Sequence, residues 1–387
     1  MPQASSRLTL SAESGNAATL DMVLALQWVR DNIASFGGDP GTVMLWGCSG
    51  SGSETTVLTG VPAARGLFHR ALVSDGSLNW GQSPFFATML AERSMDRLGL
   101  GVDDVHKLHE VPWQQLHETL DVWGDLAYCL TAPIPIQAFF QFYPVTDGLV
   151  LPLDAYGDGP AECSSDVPMM VGTAHDTLNM INTSRPWVGR LDEAGLRVFA
   201  ENHVGADLAA AVIAAERRAL PDGTPTHLAL AIANHRNLWL NAVHMTEQRA
   251  TANAPTYAYR FDYVTHAFDG LWGAVHGGEF SFFLNNVDGG ITAMFGDLYG
   301  DRDDRYEVQR VLSEAFVSFA RDGDPNHPDL AKWMPYLLDD RATMLLDSEC
   351  RVEHDPEREL RELYSQGDYY GGPGDLRRAL RLTGFAQ

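Results

Sequence analysis

Lysine is almost absent from this chain of 387 residues, which contains two, Lys107 and Lys332. The 27 basic residues are outnumbered by 51 acidic ones, and the formal net charge is −24. Nucleic acids carry closely spaced phosphates that require a basic protein face. The charge balance therefore argues against a nucleic-acid partner, and it predicts a well-solvated acidic surface that attracts cationic substrates only mildly.

Cysteine and long apolar runs are also scarce. The four cysteines show no Cys-x-x-Cys spacing and no nearby histidine pattern, so their arrangement does not support a zinc site; they are Cys48, Cys129, Cys163 and Cys350. No run approaches the ~20 apolar residues of a membrane span. Residues 1–6 lack the apolar stretch of a signal peptide. These absences predict no membrane span and leave a cytoplasmic or a secreted location open.

Strand-like and helix-like segments alternate along the chain. Short apolar or β-branched runs at 42–45, 70–73, 167–171 and 257–261 predict strands. Residues 19–35 predict a mostly buried helix, residues 193–252 read as helical, and residues 306–320 predict the final long helix. Strands that alternate with helices predict a parallel sheet with helices on both faces, which is the α/β class.

A glycine-serine turn, Gly47-Cys48-Ser49-Gly50-Ser51, directly follows the run at 42–45. Such a turn between a strand and a helix exposes the serine hydroxyl above a sheet, as in α/β-hydrolases. Ser49 would then lie at a helix N-terminus, where unpaired N–H groups stabilise negative charge. The usual pattern is Gly-x-Ser-x-Gly, and Ser51 replaces its last glycine. Because such turns are also common in loops, the motif alone is weak.

Several blocks around this turn resemble the type-B carboxylesterase family, which also contains the cholinesterases and bacterial esterases. They occur in the family's order at 15–21, 25–34, 36–40, 63–72, 142–148 and 319–326. The resemblance implies an α/β-hydrolase fold with a mostly parallel sheet and a helical cap at about 80–140. It also implies one domain over residues 1–387.

The resemblance also implies a histidine that takes the proton of the serine, and His276 fits it best. His276 lies in Gly273-Ala274-Val275-His276-Gly277-Gly278-Glu279, which is similar to the family's Gly-Ala-x-His-x-x-Glu loop. A serine hydroxyl needs such a base at neutral pH, and a carboxylate that orients the base. The order in this fold is serine, then Asp or Glu, then histidine.

The orienting carboxylate is the member of the set that departs from the family's pattern. Ungapped alignment places Thr177 where the family has glutamate, and threonine cannot carry a negative charge. A shift of one residue places Asp176 there, and this is the favoured assignment; a degraded acid position or another carboxylate are the alternatives. Asp75 stands where the family usually has serine. It either caps backbone N–H groups in its loop or serves as an alternative acid.

A further departure is the absence of a His-Gly-Gly-Gly-type loop, which supplies oxyanion-binding N–H groups upstream of the serine in the family. Only 48 residues precede Ser49, and none of them forms such a loop, so Gly50 is the single donor that the sequence encodes. One missing donor costs ~3 kcal/mol of transition-state stabilisation. Two early strands are missing as well, which would leave the strand ending at Trp46 as an open edge. The sequence therefore predicts an N-terminally incomplete esterase.

These features together predict a serine hydrolase of small carboxylic esters that acts through an acyl-enzyme intermediate without a metal or cofactor. Ser49 attacks, His276 transfers the proton, Asp176 orients His276 and the Gly50 N–H binds the oxyanion. A catalytically impaired or non-catalytic relative that binds proteins is the competing class, because the acid position is altered and the oxyanion loop is absent. An acyltransferase with the same residues is a third alternative.

Overall fold

The computed structural model describes residues 13–77, 81–82, 84–119, 143–153, 155, 159–289, 297–300 and 302–367. Its centre is a six-stranded sheet in which the strands follow one another in chain order. The first five strands pair in parallel and the sixth is antiparallel, which confirms the mostly parallel sheet. The strands are β1 (Met44–Cys48), β2 (Arg70–Ser74), β3 (Met169–Ala174), β4 (Thr256–Phe261), β5 (Ala342–Leu346) and β6 (Arg351–His354).

Helices occupy most of the connections between the strands. They are α1 (Ala17–Asn32), α2 (Gly50–Thr59), α3 (Pro84–Arg97), α4 (Trp113–Glu118), α5 (Asn179–Asn182), α6 (Glu193–Val204), α7 (Ala206–Ala219), α8 (Pro225–Asn234), α9 (Leu240–Arg249), α10 (Glu279–Phe283), α11 (Arg305–Asp322) and α12 (Arg358–Tyr364). Residues His235–Trp239 form a π-helical turn between α8 and α9. The predicted helical region at 193–252 and the long helix α11 are thus confirmed.

The central strands are apolar because both of their faces are covered. Successive side chains of a strand point to opposite faces of the sheet. Leu72 of β2 and Met170 of β3 accordingly lie in a core on one face, while Val73 and Val171 lie in a second core on the other. This burial on two faces explains the continuous apolar runs from which the strands were predicted.

Helix α1 is less buried than its apolar sequence predicts. Val23 and Leu26 share a core cluster with Val57 of α2. Leu24 and Trp28, however, are 62% and 52% exposed. The prediction of a mostly buried helix is wrong here, because the described part of the chain covers one face of α1 and leaves the other open.

Strand β1 stands at one end of the strand order among the described residues. It pairs with β2 from Met44 opposite Arg70 to Cys48 opposite Ser74. Trp46 packs edge-on against Phe280, with ring centroids 4.7 Å apart. This strand leads directly into the predicted nucleophile turn, so its pairing with β2 sets the position of that turn.

The predicted cap at about 80–140 falls only partly on described residues. Its described part contains α3, a 3-10 segment (Val102–Glu110) and α4. Residues 120–142, and with them Cys129, lie outside the described residues, and the cap stays a prediction. Along the described ranges no single helix is long and apolar enough to cross a membrane, although α6 and α7 together reach that length with a bend of 117° between them.

Candidate active site

Ser49 occupies the turn between β1 and α2 in a strained backbone conformation. Its φ is 58° and its ψ is −125°. A positive φ is uncommon for a residue with a side chain and persists where the surrounding structure enforces it. Strand β1 ends at Cys48 and helix α2 begins at Gly50, so the turn contains Ser49 alone. Ser49 is exposed, as a nucleophile that meets a substrate must be.

Glycines surround this turn because neighbouring backbone approaches them closely. A Cβ added to Gly47 would lie 2.2 Å from the carbonyl oxygen of Ser51. At Gly76 it would lie 2.4 Å from the carbonyl oxygen of Ser49, and at Gly52 it would lie 2.7 Å from the backbone of β2. Any larger residue at these positions would push the turn away from the sheet.

Ser51 fills the position at which the usual motif has glycine, and its side chain takes part in the turn. Its hydroxyl donates to the carbonyl oxygen of Cys48 over 2.8 Å and accepts from the N–H of Cys48 over 3.1 Å. Ser51 therefore closes the turn with its side chain, which accounts for the departure from the usual motif.

Cys48 precedes Ser49 but is unsuited to act as the nucleophile. Burial raises the pKa of its thiol far above the ordinary value, and the nearby carboxyl groups of Asp75 and Glu279 raise it further. The thiolate is the reactive form of cysteine. Cys48 consequently stays protonated at neutral pH and acts as a small packed side chain.

His276 lies in the loop after β4, as the sequence predicts, with its side chain 13% exposed. Its Nδ1 atom is 3.2 Å from Oδ2 of Asp75 and 2.6 Å from Oγ1 of Thr177. Thr177 thus contacts the imidazole ring with a hydroxyl group that carries no charge. With Nδ1 engaged by these two partners, Nε2 is the ring nitrogen left to accept a proton.

Asp75 is a fully buried carboxylate at the end of β2, with a φ of 48°. Its Oδ1 accepts hydrogen bonds from the hydroxyl of Thr173 and from the N–H of Ala174, the latter over 3.0 Å. Its Oδ2 accepts from the N–H of Gly277 over 3.2 Å and also faces His276. A buried charge is costly unless it is paired and hydrogen-bonded, and Asp75 meets both conditions.

The charges of Asp75 and His276 stabilise each other. Burial by itself would raise the pKa of Asp75, but the interaction with His276 and the bonds from Thr173 and Ala174 hold that pKa below the ordinary value. Burial would lower the pKa of His276, whereas Asp75 and then Glu279 raise it, and the net shift is upward. Asp75 is therefore placed to stabilise the imidazolium that develops when a histidine takes the proton of a serine.

Glu279 is a second buried carboxyl group beside this pair. Its Oε1 accepts hydrogen bonds from the hydroxyl of Ser74 and from the hydroxyl of Tyr259, the latter over 3.3 Å. Burial raises its pKa to about 7, and repulsion by Asp75 is the next contribution. Near neutral pH, Asp75 is thus ionised while Glu279 is partly protonated, and the two carboxyl groups carry different charges.

We expect Glu279→Gln to flatten the pH dependence of stability. Between the unfolded pKa of about 4.5 and the folded pKa of about 7, the folded state holds a proton that the unfolded state has lost. This group therefore lowers the free energy of unfolding as pH rises through that window, by up to about 1.4 kcal/mol per pH unit. Glutamine cannot ionise, so this contribution to the decline should be absent from urea unfolding at pH 5, 6, 7 and 8. Glu353→Gln on β6, where the side chain is 43% exposed, is the control. An unchanged slope in Glu279→Gln would contradict the assignment.

The structure directs both oxygens of Asp176 to partners other than His276. Oδ1 is 3.1 Å from Nδ1 of His175, and Oδ2 accepts from the N–H of Ala274 over 2.9 Å. The N–H of Asp176 in turn donates to the carbonyl oxygen of Ala274 over 3.1 Å. Asp176 therefore anchors the backbone of the histidine loop, the segment 273–279 that contains His276. Asp75 and Thr177 contact the imidazole ring itself.

Gly50, the oxyanion donor predicted from the sequence, lies at the N-terminus of α2. It is the first residue of α2, and the first N–H groups of a helix have no acceptor within the helix. A Cβ added to Gly50 would have no atom within 4 Å, so the space beside it is open. Its N–H can therefore donate to an oxygen bound next to Ser49, where the helix N-terminus favours negative charge.

The turn that carries Ser49 is the one by which α/β-hydrolases present their nucleophile, and a parallel sheet leads into it in the same way here. The protein is an α/β-hydrolase by its fold. More particularly, the chain belongs to the carboxylesterase family, whose profile matches residues 8–363.

Among the relatives of known name, phenmedipham hydrolase of Pseudarthrobacter oxydans is 30% identical over 336 residues, 86% of this chain and 65% of that protein. Para-nitrobenzyl esterase of Bacillus subtilis strain 168 is 30% identical over 355 residues, 91% of this chain and 68% of that protein. The chain thus spans about two thirds of the length of these curated relatives.

Solved structures show the same fold. The carboxylesterase EST55 of Geobacillus stearothermophilus superposes with a TM-score of 0.74 at 29% identity, over 92% of this chain and 71% of that one. An esterase from Clostridium hathewayi, described as able to hydrolyse aliphatic aromatic polyesters, superposes with a TM-score of 0.64 at 25% identity, over 92% of this chain and 68% of that one.

Proposed function

We propose that this chain hydrolyses carboxylic esters through an acyl-enzyme intermediate on Ser49. The observation that carries the proposal is the strained turn of Ser49 beside a buried histidine–aspartate pair. The Sγ atom of Cys48, a carboxylate oxygen of Asp75 and a ring nitrogen of His276 all lie within 4.8 Å of one another. Since Cys48 directly precedes Ser49, the pair lies next to the nucleophile turn.

In the acylation half, Oγ of Ser49 attacks the carbonyl carbon of the ester while Nε2 of His276 takes the hydroxyl proton. The carbonyl oxygen becomes an oxyanion, and the Gly50 N–H donates a hydrogen bond to it. The tetrahedral intermediate collapses, the bond to the alcohol oxygen breaks, and Nε2 gives its proton to the departing alcohol. Ser49 is then acylated and His276 is neutral again.

In the deacylation half, a water molecule repeats the sequence of proton transfers. Nε2 of His276 takes a proton from water as its oxygen attacks the acyl carbon. The oxyanion again meets the Gly50 N–H. When the bond to Oγ breaks, the proton returns from Nε2 to Ser49, and the carboxylic acid leaves.

We propose Asp75, in place of Asp176, as the carboxylate that orients His276. Its Oδ2 is 3.2 Å from Nδ1 of His276, and the remaining bonds of Asp75 anchor it to β3 and to the histidine loop. A carboxylate on Nδ1 fixes the tautomer in which Nε2 is unprotonated and stabilises the imidazolium that forms during the reaction. Thr177 adds a hydroxyl contact to the same nitrogen but no charge.

The names of the relatives guide the choice of test substrates. Two of them are named for phenmedipham and for para-nitrobenzyl esters, both of which contain aromatic rings. We therefore propose small aromatic esters as the first substrate class for this chain. Release of p-nitrophenol from p-nitrophenyl acetate provides a direct assay.

We expect a fluorophosphonate probe to label this protein at Ser49. Phosphonylation requires a serine whose proton can be transferred to a nearby base, so an ordinary surface serine does not react. Mass spectrometry of the digested protein should place one adduct on the peptide that contains Ser49. The variant Cys48→Ala is the matched control and should be labelled equally well, because the Cys48 thiol stays protonated. An adduct on another residue, or no adduct on folded protein, would contradict the proposal.

A further inference from the structure

A second cluster of ionisable side chains lies on the far side of Asp176 from the histidine loop. The ligand atoms of His175, His235 and Glu357 all lie within 4.8 Å of one another. Nε2 of His175 is 3.6 Å from Oε1 of Glu357, and Nε2 of His235 is 3.3 Å from its Oε2. The three residues come from the loop after β3, from the π-helical turn and from the segment before α12, so that the fold alone brings them together.

Each histidine of this cluster is held on its other nitrogen by a carboxylate. Nδ1 of His175 is 3.1 Å from Asp176, and Nδ1 of His235 is 2.8 Å from Glu216, which is fully buried. Histidines that bind metals donate their second N–H to a carboxylate or a carbonyl in this way, which fixes the ring and leaves the other nitrogen as a ligand. Both Nε2 atoms are therefore directed at the Glu357 carboxylate.

The distances on the Nε2 side are longer than those of ion-paired hydrogen bonds. Charge-assisted N–H···O bonds measure about 2.7–2.9 Å, and the two contacts of Glu357 measure 3.6 and 3.3 Å. Oε2 of Glu357 is a buried oxygen with no hydrogen-bond partner among the described residues. Ligand atoms at about 2.0–2.1 Å from a tetrahedral zinc ion are separated by roughly 3.3–3.4 Å. The observed spacing fits an ion between the three side chains better than direct hydrogen bonds.

The charges around the cluster also favour a cation. Arg260 lies 3.0 Å from Oε1 of Glu357, but two hydrogen bonds of 2.6 and 2.8 Å join its guanidinium to Asp262. Arg260 and Asp262 thus cancel, and the carboxylates of Asp176, Glu216 and Glu357 remain around two imidazoles. A divalent ion bound by neutral histidines would have these three carboxylates as countercharges in a largely buried place.

We propose that His175, His235 and Glu357 bind a Zn²⁺ ion through two Nε2 atoms and the Glu357 carboxylate. Imidazole nitrogen and carboxylate oxygen are ligands that zinc accepts, and three protein ligands leave a fourth position for water. The cysteine spacing gives no indication of a metal, and the three ligands lie too far apart in the chain for any spacing motif to reveal them. The ion would join the loop after β3 to the segment before α12.

Zinc binding to the whole chain tests this site independently of esterase activity. Protein without a histidine tag is stripped with EDTA, desalted and titrated with ZnSO₄ in a calorimeter, and its Tm is recorded with and without zinc. We expect one Zn²⁺ per chain and a higher Tm with zinc. Glu216→Gln, which alters a partner of a ligand, should weaken binding by about 10–100-fold. Glu357→Gln should weaken it at least as much.

The control uses a more exposed cluster of Glu314, His327 and Asp329, whose ligand atoms are similarly close. His327→Gln should bind zinc as the wild type does. If Glu357→Gln fails to fold, X-ray absorption at the zinc edge tests the site in the zinc-bound wild type instead. The spectrum should show two imidazole ligands. Three results would each overturn the proposal: no saturable 1:1 binding, unchanged affinity in folded Glu357→Gln, or loss of binding in His327→Gln. If no saturable binding is found, the cluster consists of protonated histidines paired with carboxylates.

Discussion

Replacing Asp75 by asparagine should lower kcat for p-nitrophenyl acetate by roughly four orders of magnitude, the size of effect seen when the acid of a serine protease is changed in this way. The amide oxygen can still accept from Thr173 and Ala174, so the fold should survive. The amide nitrogen, however, would donate to Nδ1 of His276. This selects the tautomer in which Nε2 carries the hydrogen, and such a histidine cannot take the proton of Ser49.

The matched variant for this measurement is Asp176→Asn. Asp176 contacts His175 and the backbone of Ala274, so its loss should lower the free energy of unfolding while kcat falls by less than about tenfold. Steady-state kinetics of both variants, with urea unfolding alongside, separates the two roles. A near-normal kcat in Asp75→Asn together with a collapse in Asp176→Asn would restore the assignment predicted from the sequence.

Replacing Ser49 by alanine should abolish ester hydrolysis, with a fall in kcat of roughly 10⁶-fold, as for the nucleophile of a serine protease. Alanine and serine both carry a Cβ, so the strained φ of 58° is no worse in the variant, and the turn should keep its shape. The loss is then attributable to the missing Oγ. Hydrolysis of p-nitrophenyl acetate and reaction with the fluorophosphonate probe should disappear together.

Two neighbours of Ser49 provide the controls for this result. Cys48→Ala should retain activity, since its thiol is protonated and packed. Ser51→Ala removes two hydrogen bonds that close the turn, so we expect partial activity and lower stability. Activity in Ser49→Ala, with loss in either control, would mean that the nucleophile is misassigned.

The parts of the site that could be predicted from the sequence are those set by local geometry. The turn at Ser49 requires glycines at fixed positions. A Cβ added to Gly47 or Gly52 would lie less than 3 Å from neighbouring backbone atoms. Such steric demands leave a short motif in the sequence. The loop of His276 is likewise a continuous block, and the buried strands leave apolar runs. Each of these was placed correctly along the chain.

The choice between Asp75 and Asp176 depends on contacts between distant segments, which no local pattern records. Asp75 and His276 are 201 residues apart and meet only because β2, β3 and β4 are neighbours in the sheet. Asp176 and Thr177 are adjacent in sequence, yet they serve the loop backbone and the imidazole ring respectively. The exposure of Leu24 and Trp28 on α1 was missed for a related reason, since periodicity does not reveal which neighbour covers a helix.

Asp75 also makes a carboxylate at position 177 unfavourable. A glutamate there would bring its carboxylate toward Nδ1 of His276, where the hydroxyl of Thr177 now lies 2.6 Å away. That space already adjoins Asp75 and Glu279, and burial together with Asp75 has raised the pKa of Glu279 to about 7. A third buried carboxylate would have to be protonated or displace another, at a cost of several kcal/mol. The surroundings of His276 therefore accommodate an ionised carboxylate at position 75 or at position 177, but not at both.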